Sequence, residues 1–415
     1  MEIKGHAKAI KISVLTYGFS GWGGGIDFIR HMLTFLDEAQ KSEIGISKVL
    51  ILPKDNILGF VKKIAYPYRN LLKQLLKNEK LSWIKKRVYS ERYLQKTFSD
   101  FEKTTYIYFS GASFNSQLNN AVKLGSDIVF PCIDVPPDNF KLPWIGYIAD
   151  FQHLYYPQYF SASEIKIRNR KFYNMLHQAR HIIVYGRAVA MDAERFFPGY
   201  TAKIHALPFC PTPQKEWLTS ELDVRAKYEI QSEYFLISNQ FWIHKDHATA
   251  FRAFAEYRKQ GGNAVLICTG EISDYRFPQY FDELLDLLRN LDIYNVVKIL
   301  GHIPKADQIS LLKKSLAVIQ TTLFEGGPGG GASYDAVSLG VPIIASNIPI
   351  NLEMNCGDVT FFEAGNHREL SRAMLATNFN KAEKKTNDEL IAEGFERKLI
   401  IANSLLTIIK QASDR

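Results

Sequence analysis

The sequence predicts two successive doubly wound α/β domains. Three observations carry this reading. Short apolar, β-branched runs alternate with helical patterns along most of the chain. The first run ends in a glycine-rich turn that opens a helix. A stretch at 205–222 with three prolines, at 208, 211 and 213, interrupts the pattern, which then restarts.

In order, AIKISVLTY (9–17) reads as the first strand, GWGGG (21–25) as the turn and IDFIRHMLTFLDEA as the first helix. Further strands are expected at 47–53, 105–110, 127–132, 144–149 and 181–186, with helical patterns between several of them. After the proline-rich linker, YFLISNQ (234–240) starts the second set, followed by the helix HATAFRAFAEYRKQ. Strands at 263–270, 296–301, 316–322 and 341–346 continue it, with FDELLDLLRNLD as a helix between the first two. RKLIIANSLLTIIKQAS closes the chain as an amphipathic helix. The expected division is 1–212, 213–390 and a terminal helix over 391–415.

Composition narrows the class. The chain has 415 residues, 46% of them hydrophobic and 23% charged, which excludes disorder and collagen-like repeats. Cys132, Cys210, Cys268 and Cys356 are far apart and form no zinc or redox motif, so reduced thiols in a cytoplasmic protein are expected. The N-terminal apolar residues alternate with lysines, as in a strand and unlike a signal peptide, and no apolar run is long enough to cross a membrane. The formal net charge of +8 is local. Residues 62–96 hold eleven basic side chains against two acids, a net of +9, which leaves −1 for the other 380 residues. Leu71, Leu72, Leu75 and Leu76 lie on one helical face there, and Lys73, Lys77 and Lys80 on the other. Basic amphipathic helices with Trp and Tyr suit the surface of an anionic membrane, with peripheral attachment as the consequence. A solvated helix face packed by its leucines is the competing reading. Nucleic acid is disfavoured, because no nucleic-acid motif accompanies the patch.

The chemistry concentrates at 323–349, LFEGGPGGGASYDAVSLGVPIIASNIP. A strand runs into Glu325, then into glycines 326, 327, 329, 330 and 331, then into a helix of small residues carrying Asp335. Glycines let backbone approach a ligand, and a helix N-terminus offers N–H groups to phosphate. Carboxylates at such a place accept paired hydrogen bonds from sugar hydroxyls. No His/Cys cluster has metal-ligand spacing, and neither a nucleophile elbow nor a P-loop is present.

This stretch resembles the nucleotide-sugar domain of family-4 retaining glycosyltransferases, which have the GT-B fold. Their two glutamates lie eight positions apart, followed by Ala, three residues, Gly and a Pro-led strand. Glu325 matches the first acid, and Ala336, Gly340, Val341 and Pro342 match the tail. Asp335 stands for the second acid, ten positions on, so the loop is two residues longer. Asn239, Gln240 and Lys245 match the segment after the domain's first strand, where the family places Arg and then Lys toward the donor diphosphate; here Gln240 replaces the Arg. WIGYIADFQHLYYPQYFSASE (144–164) resembles a stretch of the N-terminal domain of many bacterial members. There His153 corresponds to the histidine facing the donor sugar, and Asp150 either caps the loop or acts near the acceptor. Gly23, Gly24 and Gly25 match a glycine turn facing donor phosphates or acceptor.

The resemblance implies two Rossmann-like domains facing across a cleft, with the last helix crossing back to the first. It implies a hexose transferred with retention from a nucleotide-diphosphate sugar, UDP by default, to a glycan or lipid-linked acceptor, without metal or cofactor, in bacterial surface-polysaccharide assembly. Lys245 and the loop backbone at 326–332 would hold the diphosphate. Glu325 would orient the hexose, His153 would approach its hydroxymethyl side, and Asp335 would bind ribose. A non-hydrolysing nucleotide-sugar epimerase of the same fold, a basic nucleic-acid-binding protein and a dinucleotide oxidoreductase are the alternatives.

Overall fold

The computed structural model describes residues 9–21, 23–41, 45–55, 89–274, 276–377 and 385–414. Of the basic segment 62–96, residues 62–88 lie outside them. Two compact units are present. One comprises Met1–Val184, Val189–Leu207 and Lys398–Arg415, the other Tyr185–Ala188 and Pro208–Arg397.

The first unit is built from β1 (Ile10–Leu15), α1 (Gly23–Gln40), β2 (Ile46–Pro53), α2 (Glu91–Phe98), β3 (Thr105–Ser110), α3 (Phe114–Lys123), β4 (Ile128–Cys132) and β5 (Trp144–Tyr147). It continues with α4 (Gln152–Tyr155), α5 (Ala162–Gln178), β6 (His181–Val184), α6 (Arg187–Phe196), whose first two residues count with the second unit, and β7 (Lys203–Ala206). Its sheet is parallel throughout, in the order β3-β2-β1-β4-β5-β6-β7. Strands β1, β2 and β4 are almost entirely buried, as a parallel sheet covered on both faces requires. Leu15, Val49, Ile51 and Val129 meet Phe114 and Leu118 of α3 on one face. Local signals set the helix ends. Ser161 and Glu164 form a reciprocal capping box that starts α5. Gly23–Gly25, expected as a turn, are instead the first residues of α1. A first helical turn has N–H groups without intrahelical partners and tolerates glycine, so the two readings differ by one turn.

The second unit comprises α7 (Lys215–Thr219), β8 (Tyr234–Ser238), α8 (His247–Lys259), β9 (Val265–Thr269), α9 (Tyr280–Asn290), β10 (Val297–Gly301), α10 (Lys305–Lys314) and β11 (Val318–Gln320). After these come α11 (Gly330–Ser338), β12 (Ile343–Ser346), β13 (Val359–Phe362), α12 (His367–Ala376) and α13 (Asn387–Ser413). This sheet is also parallel, in the order β10-β9-β8-β11-β12-β13. Alternation along β8 divides the core. Phe235 and Ile237 pack with Phe251, Phe254 and Leu284 on one face, and Leu236 packs with Leu311, Ala332 and Ala336 on the other. Helix α13 is shared, its residues from Lys398 onward belonging to the first unit. There Lys398 Nζ lies 2.8 Å from Glu38 Oε2, and Ile401, Ala402, Leu405 and Ile409 are buried.

Two strands were not foreseen, β7 and β13. Both are edge strands, only partly buried, and lack the continuous apolar run of the central strands. No disulfide links the four cysteines, and Cys132, Cys210 and Cys268 are buried.

Candidate functional site

In the second unit β8 and β11 are neighbours from which the crossovers depart in opposite directions along the sheet. Such a switch point leaves a crevice beyond the carboxyl ends of the strands. The segments leaving these two strands carry Lys245 and Glu325, and the structure brings them together.

After Ser238 the chain runs through Asn239 and Gln240 into a 3-10 turn, Ile243–Lys245. Asp246 adopts the left-handed region at φ 50° and caps α8, its Oδ1 accepting from Thr249 N at 3.2 Å. The exit of β11 pins this turn. Leu323 N donates to His244 O at 2.8 Å, Thr321 Oγ1 to Lys245 O at 2.8 Å, and Thr322 Oγ1 to His244 O at 3.3 Å. Both segments are thereby held in register, and Lys245 Nζ forms an ion pair with Glu325 Oε1. The two side chains are 11% and 10% exposed, so the pair is largely shielded from water.

The glycine loop is built around Gly329. Its N–H donates to Asn351 Oδ1 at 2.9 Å, and its carbonyl accepts from Gln320 Nε2 at 2.6 Å and Ser333 Oγ at 2.8 Å. Gly329 and Gly330 have φ of +63° and +66°, where a side chain is strained. A Cβ on Gly329 would lie 2.3 Å from Ser333 Oγ, and one on Gly330 would lie 3.3 Å from Glu325 Oε1. Glycine at 330 therefore lets the Glu325 carboxylate sit against the loop. Gly326 and Gly327 lead into this turn, and Gly327 O accepts from Gly330 N at 3.3 Å. Gly331 follows Gly330 in the first turn of α11, whose N–H groups face away from the helix body.

Other candidates have structural partners. Asn239 donates to Gln320 Oε1, so it braces the residue that holds Gly329. Asp335 Oδ2 lies 2.5 Å from Lys305 Nζ, the first residue of α10, and that ammonium is 5.2 Å from the Trp217 ring centroid. His244 and His247 are buried and uncharged. Burial first, then the nearby positive charges, push the His244 pKa down to about 2, and burial pushes His247 down to about 3. The His247 ring stacks on Phe241, centroids 4.1 Å apart, and neither of its nitrogens has a hydrogen-bond partner among the described residues.

In the first unit the segments after β1 and β5 carry the remaining candidates. Gln117 Oε1 accepts from the N–H groups of Thr16 and Tyr17, both at 3.0 Å, and so fixes the exit of β1 ahead of Gly23–Gly25. Asp150 Oδ1 accepts from Gln152 N at 2.9 Å and caps the turn bearing His153. His153 is fully buried beside Phe172 and Phe160, with Nε2 2.8 Å from Asn169 Oδ1. Burial, aided by Arg168, lowers its pKa, so the ring is neutral at pH 7.

Sequence reasoning missed Gln320, Asn351, Lys305, Asp274 and Arg276. Gln320 interrupts an apolar strand, which was a usable signal, because a fully buried amide at a strand end needs partners. The other four acquire meaning only through tertiary contacts. Among the described residues no group of three or more His, Cys, Asp or Glu side chains is placed to hold a metal, and no helix is long and apolar enough to cross a membrane.

Comparison with known proteins agrees with this geometry. Residues 221–395 match the family Glycosyl transferases group 1. Glycosyltransferase 1 domain-containing protein 1 of Xenopus tropicalis is 26% identical over 183 residues, 43% of this chain and 50% of that protein. The chain thus spans about half the length of the curated relative it matches. Among solved structures, sucrose-phosphate synthase of Thermosynechococcus elongatus superposes with a TM-score of 0.60 at 14% identity, covering 97% of this chain and 98% of that one. HepE of Anabaena in complex with UDP gives a TM-score of 0.59 at 12% identity, covering 97% and 100%. Two Rossmann-like units with parallel sheets, a glycine loop at the second unit's switch point and the family match over that unit lead to one conclusion. The chain has the GT-B fold, and its residues 221–395 are similar to the glycosyltransferase group 1 domain.

Proposed function

We propose that this protein transfers a hexose from a nucleotide-diphosphate sugar, with retention and without a metal, to a glycan or lipid-linked acceptor. The observation that carries the reading is the Lys245–Glu325 pair set against the glycine loop at the β8–β11 switch point. A diphosphate placed there meets one ammonium and the N–H groups opening α11. UDP is the favoured nucleotide, and it is the one held by a protein of similar fold.

In the proposed reaction the bond from the anomeric carbon to the diphosphate oxygen breaks, and a bond from the same carbon to an acceptor oxygen forms on the same face. The acceptor proton passes to an oxygen of the leaving diphosphate. Lys245 and the loop N–H groups stabilise the charge that develops on that diphosphate, which is the larger part of such catalysis. Glu325 has two roles. It aligns Lys245 and accepts from hexose hydroxyls, which orients the anomeric carbon. Asp335, aligned by Lys305, takes the ribose, and in the first unit Asp150 fixes the turn that carries buried, neutral His153.

The acceptor side of the proposal rests on charge. A segment of net +9 within the first unit's sequence suits an anionic membrane or a lipid-phosphate acceptor, as in assembly of a bacterial surface glycan. A thermal-shift screen over UDP-, GDP-, dTDP- and ADP-sugars tests the donor. Stabilisation by one nucleotide class is expected, followed by calorimetry on Glu325→Ala, in which affinity for the nucleotide-sugar falls further than that for free nucleotide. No stabilisation by any of the four classes refutes the reading. Product formation without added acceptor identifies an epimerase instead.

A further inference from the structure

The segment after β9 grips the turn that carries Lys245. Gly270, at φ +139°, brings this segment so close to the exit of β8 that a Cβ there would lie 1.9 Å from Asn239 O. Phe241 N then donates to Glu271 O at 2.9 Å. Next comes a buried, forked ion pair. Asp274 Oδ1 accepts from Arg276 N and Nε at 3.0 and 3.1 Å, and Oδ2 accepts from Arg276 Nη2 at 3.2 Å and from Ile243 N at 3.3 Å. The side chains of Asp274 and Arg276 are 0% and 8% exposed.

Arg276 reaches two more residues of the turn. Its guanidinium carbon lies 5.3 Å from the Trp242 ring centroid, and its Nη2 lies 3.4 Å from His244 Nδ1. An arginine N–H only donates, so Nδ1 is the acceptor and the neutral ring carries its proton on Nε2. Trp242, Ile243 and His244 are thus held from the β9 side, while the carbonyls of His244 and Lys245 are held from the β11 side. Desolvating two charges is costly, and apolar residues of similar volume would stabilise the fold as well or better. A buried ion pair aimed at one turn is better explained by what the turn presents.

We propose that Asp274 and Arg276 form a positioning pair for Lys245, fixing its turn through Trp242, Ile243 and the Nε2–H form of His244. The proposal rests on the reading of Lys245 as the cation that meets the donor diphosphate. The pair touches no reacting atom. Its contribution is to hold the ammonium on the diphosphate, where a displacement of about 1 Å costs on the order of a hundredfold in rate.

The test uses the full-length chain with Arg276→Gln and Arg276→Lys, titrated calorimetrically with UDP, pyrophosphate and uridine. The His244 ring is followed by 15N NMR, its signals assigned through His244→Gln. Expected for Arg276→Gln are at least tenfold weaker UDP and pyrophosphate binding, unchanged uridine binding, and loss of the Nε2–H signature. Arg276→Lys keeps the charge beside Asp274 but not the fork, so it should fold, lose the His244 signature and bind diphosphate with intermediate strength. If Arg276→Gln fails to fold, Arg276→Lys decides on the same readouts. Equal loss of uridine and UDP binding overturns the proposal, because it signals general distortion. Unchanged UDP binding overturns it as well, whatever the His244 signal does. If the unmodified protein binds neither UDP nor pyrophosphate, the nucleotide-sugar reading fails, and the grip on the turn is then judged by the His244 signal alone.

Discussion

The Lys245–Glu325 pair makes opposite demands on stability and on binding, and a double-mutant cycle separates them. Both side chains are about nine-tenths buried and in direct contact. Removing one partner leaves the other charge desolvated, at a cost of about 3–5 kcal/mol. For a unit of this size 1 kcal/mol moves Tm by about 2–4 °C, so Lys245→Met and Glu325→Leu should each melt about 10 °C lower. Replacing both restores an apolar contact, and such replacements are neutral to stabilising by about 1–4 kcal/mol. The double variant should therefore melt at or above the unmodified protein. Its UDP binding should remain lost, because the ammonium is gone, and transfer by Lys245→Met should fall at least tenfold, about 1.4 kcal/mol of barrier. The assays are calorimetric melting and titration with UDP. Single variants that lose less than about 1 kcal/mol would show that the pair behaves as a screened surface bridge. A double variant that regains UDP binding would remove Lys245 from the donor site.

Three further outcomes are expected. Gly329→Ala, strained at positive φ and meeting Ser333 and Met354, should lose more than about 1 kcal/mol by urea denaturation, whereas Gly331→Ala, with nothing within 4 Å, should match or exceed the native value; equal effects would contradict the loop geometry. His247 binds its proton near pH 6.5 when unfolded but only near pH 3 when folded, so its contribution is complete above pH 6.5 and is lost on acidification toward pH 3. His247→Phe should therefore flatten the acid limb, narrowing the stability difference between pH 7.5 and 5 by about 2 kcal/mol, and an unchanged slope would refute the assignment. Vesicles containing anionic lipid should sediment the protein in low salt and release it in high salt, and charge reversal of Lys73, Lys77 and Lys80 should abolish this; persistence of binding in the reversed variant would end the membrane reading.

What could be read from the sequence divides along a physical line. Central parallel strands are buried on both faces, so their sequences are rich in apolar and β-branched residues, and β1, β2, β8 and β12 stand where such runs are. Edge strands β7 and β13 face solvent on one side, and KIHA and VTFF lack that run. The same division governs the site. Glu325, the glycines and Lys245 were legible because a strand–loop–helix junction has local rules, namely glycine at positive φ, N–H groups at a helix start, and a charge at a turn. Their partners obey no local rule. Lys305 precedes Asp335 by 30 residues, Asn351 follows Gly329 by 22, and Arg276 meets His244 across 32. Only the order β10-β9-β8-β11-β12-β13 brings these segments to one end of one sheet. The strand order also explains how Arg276, engaged by Asp274 on the segment after β9, reaches the turn after β8. Loops of adjacent parallel strands end side by side, so a turn after the first strand can be braced by side chains that follow the second. The geometry at this switch point is therefore set by neighbourhood in the sheet, and residue types along any one loop describe only part of it.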